Sequence, residues 1–256
     1  MDNKICVIIP VKGEGLKIAE CLNSIFELDY SVFEIIVVDD GLQDNGLAAI
    51  NSFNDQIKIL KSDSRGPSYA RNLAARQTDA RFVAFTDGDC IVDKSWLKEL
   101  MRGFSKFPDA VACGGRQLLP QDAEEFEKKV YLFMKKVGFI TDYMNKREDD
   151  IIEVNHNPSC NVIYKKDVFL REGGFLEGLW PGEDVELDYR LRRKGYKMLF
   201  NPRAIVYHYK PKNMADFSRM MYRYGEAQGM LVRKYGLFRK IHFIPAFSIL
   251  FFIVGY

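Results

Sequence analysis

The stretch Arg81-Phe82-Val83-Ala84-Phe85-Thr86-Asp87-Gly88-Asp89 decides the fold and marks its working edge. A short apolar run of strand character ends in two carboxylates separated by one glycine. Side chains i and i+2 of a strand point the same way, so Asp87 and Asp89 leave the strand end on one side. Gly88 lets the backbone turn tightly there and lets a ligand approach. Two hard oxygen ligands at the carboxyl end of a buried strand can hold a divalent cation and, through it, a diphosphate.

Working outward, similar β-branched apolar runs occur at 5–9, 34–38 and 57–60. Helical patterns lie between them at 16–26, 44–53 and 67–75. In the first, Ile18, Leu22, Ile25 and Phe26 recur at helical spacing. Strands alternating with helices predict an α/β fold, a mostly parallel Rossmann-like sheet flanked by helices. Functional loops of such sheets gather at the carboxyl ends of the strands. Three of those ends carry chemistry: Pro10-Val11-Lys12-Gly13-Glu14, Asp39-Asp40-Gly41, and the Asp87/Asp89 pair.

The second half is less regular. The patterns predict a helix at 95–104, a strand at 110–113, a charged and aromatic helical flap at 122–147 and a strand at 159–164. A short helix at 166–171 stops at Gly173-Gly174, an amphipathic helix spans 183–194, and strands follow at 196–200 and 204–207. We expect a catalytic domain over 1–212, with a nucleotide-binding half at 1–115 and an acceptor-binding half at 116–212. Residues 213–256 change character. Arg219, Arg223, Arg233 and Lys234 alternate with Phe217, Met220, Met221 and Tyr224, and 241–256 is almost uncharged. That last run is shorter than the roughly 20 residues a spanning helix needs. The expectation is membrane-associating C-terminal helices, with the basic residues on the cytoplasmic side against anionic headgroups. A buried C-terminal helix is the competing reading.

Bulk properties bound the function. The chain has 256 residues, 47% of them hydrophobic, which is ample for a large core. A net charge of +2 points to no nucleic-acid partner. Five cysteines without a Cys-x-x-Cys pair fit neither a disulfide framework nor a zinc ribbon, and suit a reducing compartment. Three histidines exclude a His-rich metal site. The N-terminus enters a strand without a signal peptide pattern.

Each motif has a structural alternative. Asp39-Asp40 could cap the next helix, or Asp40 could accept hydrogen bonds from a base or ribose. Gly66-Pro67 opens a helix whose first turns carry Arg71, an exposed charge or a group for a nucleobase or phosphate. Gly182-Glu183-Asp184 opens another; its acids compensate the helix dipole, or one of them is a general base for a hydroxyl nucleophile. Trp180 and Pro181 before it could stack on a sugar or fill core. His208 ends a strand, as a structural hydrogen-bonder or as a further ligand beside Asp89, an imidazole suited to Mn²⁺ more than to Mg²⁺. Gly13-x-Gly15 lacks the third glycine of a dinucleotide fingerprint, and no Walker A sequence exists.

Taken in order, these residues resemble glycosyltransferase family 2, the inverting GT-A enzymes, over about residues 4–210. The resemblance rests on Val7-Ile8-Ile9-Pro10, Val37-Val38-Asp39-Asp40-Gly41, Gly66-Pro67 with Ala70-Arg71-Asn72, Asp87-Gly88-Asp89, Gly173-Gly174-Phe175, Gly182-Glu183-Asp184 and His208. It implies Pro10, Glu14, Asp40 and Arg71 around the nucleotide, with Asp87 on ribose or metal water. It implies Asp89 and His208 on Mn²⁺ or Mg²⁺, and Asp184 as the base. Gly174, Trp180 and Glu183 are expected near the donor or acceptor sugar. Lys12-Gly13-Glu14 departs from the usual Asn-Glu, and Gly41-Leu42-Gln43-Asp44 from Gly-Ser-Thr-Asp. The Gln-x-x-Arg-Trp signature of processive synthases is absent, which favours transfer of a single sugar. The implied function is transfer from a nucleotide sugar, a UDP-sugar by family frequency, to a lipid-linked or glycan acceptor at the cytoplasmic membrane surface. Its rivals are a polyprenyl-phosphate sugar synthase, a sugar nucleotidyltransferase and a non-catalytic membrane-surface binding module.

Overall fold

The computed structural model describes residues 3–13, 15–42, 45–136 and 150–238. Glu14, the end of the expected 122–147 helix and the whole 241–256 run lie outside the described residues.

The first four strands are parallel: β1 (Ile5–Val11), β2 (Phe33–Asp39), β3 (Lys58–Lys61) and β4 (Phe82–Phe85), ordered β3-β2-β1-β4. They are joined by α1 (Lys17–Phe26), α2 (Asn45–Asn51) and α3 (Pro67–Arg76). β1 is buried along its whole length. Its odd-numbered residues Ile5, Val7, Ile9 and Val11 face one core, with Ile18, Leu22 and Ile25 of α1. Cys6 and Ile8 face the other, with Ala70 and Ala74 of α3. Covering on both faces is why the strand is apolar at consecutive positions.

The sheet then changes character. It continues from β4 through β8 (Val162–Lys165), β6 (Ala112–Leu118), β9 (Met198–His208) and β5 (Cys90–Val92), with β7 (Ile152–Glu153) on β9. β8 is antiparallel to both β4 and β6, and β9 is antiparallel to β5 and β7. The sheet is therefore mixed, a correction to the mostly parallel sheet expected. The reason lies after β6. Parallel pairing needs a crossover that carries the chain back across the sheet. Here α5 (Glu125–Lys136) packs instead on α8 (Met214–Tyr235), through Val130 and Met134 against Phe217, Met220 and Tyr224. β8 begins beside Gly114, toward the rim where β6 ends, and runs back antiparallel to it.

The remaining helices are α4 (Trp96–Lys106), α6 (Lys166–Arg171) and α7 (Glu183–Arg193). The two late strands expected separately are one, β9, whose register against β6 shifts between Gly115 and Arg116. A Cβ on Gly115 would lie 1.9 Å from the Ala204 carbonyl oxygen, so only glycine fits at the irregularity. α8 is a two-sided packing helix: it meets α5 on one side, and its Ala227 and Leu231 meet Leu179 and Val185 on another. Among the described residues no helix is long and apolar enough to cross a membrane.

Candidate active site

The carboxyl ends of β1, β2 and β4 open into a cleft of about 930 Å³, closed on its far side by α7 and α8. Pro10, Asp40, Arg71, Asp87, Asp89, Trp180, Glu183, Asp184 and His208 all line it. Of the residues singled out from the sequence, Glu14 lies outside the described residues, and Gly174 does not reach the cleft. Gly174 instead turns the chain at φ 65°, where a Cβ would meet Asn72 Oδ1 at 2.4 Å. Its carbonyl accepts a 2.6 Å hydrogen bond from Arg190. It makes a tight turn there, apart from the cleft that Trp180 and Glu183 line.

The two adjacent acids after β2 divide their work. Asp39 Oδ1 accepts from the Gly41 and Leu42 amides at 2.9 and 2.7 Å, closing the turn. Asp40, 1% exposed, accepts from Ser62 Oγ at 2.6 Å and from the Gly66 amide at 3.0 and 3.1 Å, with Lys12 Nζ at 3.8 Å. Gly66 stands at φ 90° directly before Pro67, the first residue of α3, so the backbone can aim its N–H at Asp40.

Arg71 rises from α3 into the floor. It is 2% exposed, and its guanidinium donates to Asp87 at 2.5 Å and to Glu183 at 2.9 Å. Burial disfavours the charged guanidinium, but the two carboxylates outweigh it and hold the proton above the ordinary arginine value. Its side chain thus ties the end of β4 to the start of α7.

At that start, Gly182 takes a left-handed conformation, φ 102°, and Glu183 and Asp184 follow. Glu183 is 2% exposed and accepts from Arg71 and from Ser159 Oγ at 3.0 Å. Burial, with Asp184 beside it, pushes its carboxyl up to about 7. Asp184 is half-buried. Its carboxylate accepts from the Val185 amide at 2.7 Å and the Ser159 amide at 3.0 Å.

Asp89 and His208 approach to 3.6 Å, Oδ1 to Nε2, and ligand atoms of Asp87, Asp89, Cys90 and His208 lie within 4.8 Å of one another. The juxtaposition follows from the sheet, because Cys90 and His208 are register partners in β5 and β9. Burial and Lys210 disfavour a charged His208, but Asp89 and Cys160 outweigh them, so its proton is held more tightly than usual. Carboxylate oxygens with an imidazole fit a Mn²⁺- or Mg²⁺-type cation.

Sequence reasoning missed several cleft residues. Ser159, which binds both Glu183 and Asp184, sits 25 residues before Asp184 with no local signal. Cys160 lies beside His208, and Lys210 Nζ is 3.4 Å from the same imidazole. Arg219, Arg223 and Tyr224 of α8 also line the cleft. The alternation of Arg with aromatic residues in 214–235 is the signal that could have found them.

The Glycosyl transferase family 2 model matches residues 6–171, well over half of the chain. The chain is 29% identical over 230 residues to the glycosyltransferase AglE of Haloferax volcanii, covering 88% of this chain and 72% of that protein. It is 23% identical over 275 residues to a Methanococcus voltae protein, covering 99% of this chain and 81% of the relative. That relative is named dolichyl N-acetyl-alpha-D-glucosaminyl phosphate 3-beta-D-2,3-diacetamido-2,3-dideoxy-beta-D-glucuronosyltransferase. In structure it is similar to the mannosyltransferase PcManGT of Pyrobaculum calidifontis, solved with GDP-Man and Mn²⁺, at TM-score 0.67 and 20% identity. That likeness covers 88% of this chain and 61% of the mannosyltransferase, so the chain spans less than two thirds of that protein's length. The fold is thus α/β of GT-A type with a mixed central sheet, and the chain belongs to glycosyltransferase family 2.

Proposed function

We propose that the protein is an inverting, metal-dependent glycosyltransferase. It moves a single sugar from a nucleoside-diphosphate sugar, a UDP-sugar by family frequency, to a hydroxyl of a lipid-linked or glycan acceptor. The observation that carries this reading is the meeting of Asp40, Asp89, Asp184 and His208, borne by four separate stretches of chain, in one cleft.

Asp184 is the base. A hydroxyl is a poor nucleophile and must lose its proton as it attacks. The Ser159 and Val185 amides each take one lone pair of the Asp184 carboxylate and orient it, leaving acceptor capacity on both oxygens. Glu183 is the poorer candidate, because Arg71 and Ser159 occupy it in the buried floor. It positions Arg71, and through Arg71 it positions Asp87. Asp40 accepts from the nucleoside beside the Gly66 amide. Asp89 and His208 would hold a divalent cation, which when bound supplies positive charge to the departing diphosphate. Lys12 and Lys210 add charge of the same sign at the rim. Trp180, half exposed with Arg223 stacked 5.2 Å from its ring, offers the acceptor a flat aromatic face.

The lipid-linked acceptor is supported by the dolichyl-linked name of the Methanococcus voltae relative. Action at the cytoplasmic membrane face is supported by the basic residues of 214–235 and the apolar run after them. The protein, incubated with a panel of nucleotide sugars and Mn²⁺ or Mg²⁺, should release free nucleoside diphosphate and invert the anomeric configuration. Asp184→Asn should lower transfer by about 10²–10⁴-fold while donor binding persists. Turnover near wild type in Asp184→Asn overturns the base assignment. Co-sedimentation with anionic but not neutral vesicles tests the membrane part.

A further inference from the structure

Behind the Asp89/His208 pair lies a cluster of different chemistry. The thiols of Cys90 and Cys160 and a ring nitrogen of His208 all lie within 4.8 Å of one another. Cys160 Sγ is 3.6 Å from His208 Nδ1, on the opposite edge of the imidazole from Asp89, which faces Nε2. Cys90 is fully buried and Cys160 nearly so, yet Cys160 and His208 line the cleft, so an ion can enter from the donor side.

We propose that Cys90, Cys160 and His208 form a soft-metal site that takes Zn²⁺. Two thiolates and an imidazole are donors that select zinc over magnesium or manganese, whereas the carboxylates on the other edge suit hard cations. Zinc bonds of about 2.3 Å to sulfur and about 2.0–2.1 Å to nitrogen put tetrahedral ligand atoms about 3.5–3.8 Å apart. The 3.6 Å sulfur–nitrogen separation already matches that edge. Three protein ligands leave a fourth position toward the cleft. Lys210 Nζ, 3.4 Å from the same Nδ1, must give way, and it sits on a partly exposed side chain free to do so. Because one imidazole serves both edges, zinc here competes with the cation that Asp89 and His208 would share. The zinc site stands independently of the proposed transfer reaction; only the competition rests on it.

Co²⁺, a spectroscopic stand-in for zinc, should give the metal-free full chain an intense thiolate-to-metal charge-transfer band with tetrahedral visible bands. One equivalent of Zn²⁺ should bleach them. Cys90→Ser and Cys160→Ser should each cut the band to about half or less and weaken zinc binding by more than the 10–100-fold that loss of an outer-shell partner costs, and the double variant should remove the band. Wild-type protein without the band overturns the site, whatever the variants do. A band that survives in Cys90→Ser/Cys160→Ser assigns the metal to other thiols and also overturns it. If the band behaves as expected but saturating zinc leaves Mn²⁺-supported nucleoside-diphosphate release unchanged, the competition is overturned. Absence of that release before any zinc is added would instead overturn the transferase reading and leave the zinc site standing.

Discussion

The floor of the cleft and its α8 wall are built on opposite plans. In the floor, Asp40, Arg71 and Glu183 are each at most 2% exposed, and each is held by two or more hydrogen bonds. In the wall, Arg219 and Arg223 are exposed side chains on a helix surface, and Trp180 keeps half of its surface in solvent. A buried charge without partners costs several kcal/mol, so the floor's charged groups pair with one another or with neighbouring donors and are part of the fold. An exposed cation makes no such demand. The floor therefore couples chemistry to stability, and the wall can change its preference with little effect on folding.

The largest break should come from Arg71→Met. It strands Asp87 and Glu183 without their shared cation, and should cost about 3–5 kcal/mol in denaturant unfolding. A loss under about 1 kcal/mol would erase the contrast between floor and wall. Glu183→Gln sharpens it through pH. The Glu183 carboxyl stands at about 7 in the folded protein against an ordinary 4.5. Between those values the folded state holds a proton that the unfolded state has lost, so stability falls as pH rises through that window. The wild type should lose about 1–3 kcal/mol between pH 4.5 and 7.5 from this group, and Glu183→Gln should lack that component. Equal pH slopes in the two proteins would refute it. The smallest effect belongs to the wall. Arg223→Ala removes an exposed cation–π contact with Trp180, so unfolding should shift by no more than about 0.5–1 kcal/mol, while KM for acceptor should rise about 2–5-fold with kcat unchanged.

The parts legible from sequence were those written in local periodicity. The alternating cores around β1 follow from its side-chain period, and the loaded strand ends follow from their position after apolar runs. Strand direction is not local, and nothing in Val162–Lys165 says which way it runs. Residues 196–200 and 204–207 read as two strands, because the irregularity that joins them in β9 depends on Gly115 of another strand. β5 is three residues long, too short for a pattern. The ion pairs of Arg71 are hidden from local pattern, because Asp87 and Glu183 lie 16 and 112 residues away.

The reversed course of β8 has one more consequence. A parallel strand offers the rim only what comes after it, but this one offers what comes before. Ser159 and Cys160 reach the cleft for that reason. Extra residues grafted just ahead of Val162 would thus reshape the reaction chamber, whereas the same graft beyond Lys165 would emerge at the opposite pole and leave it untouched.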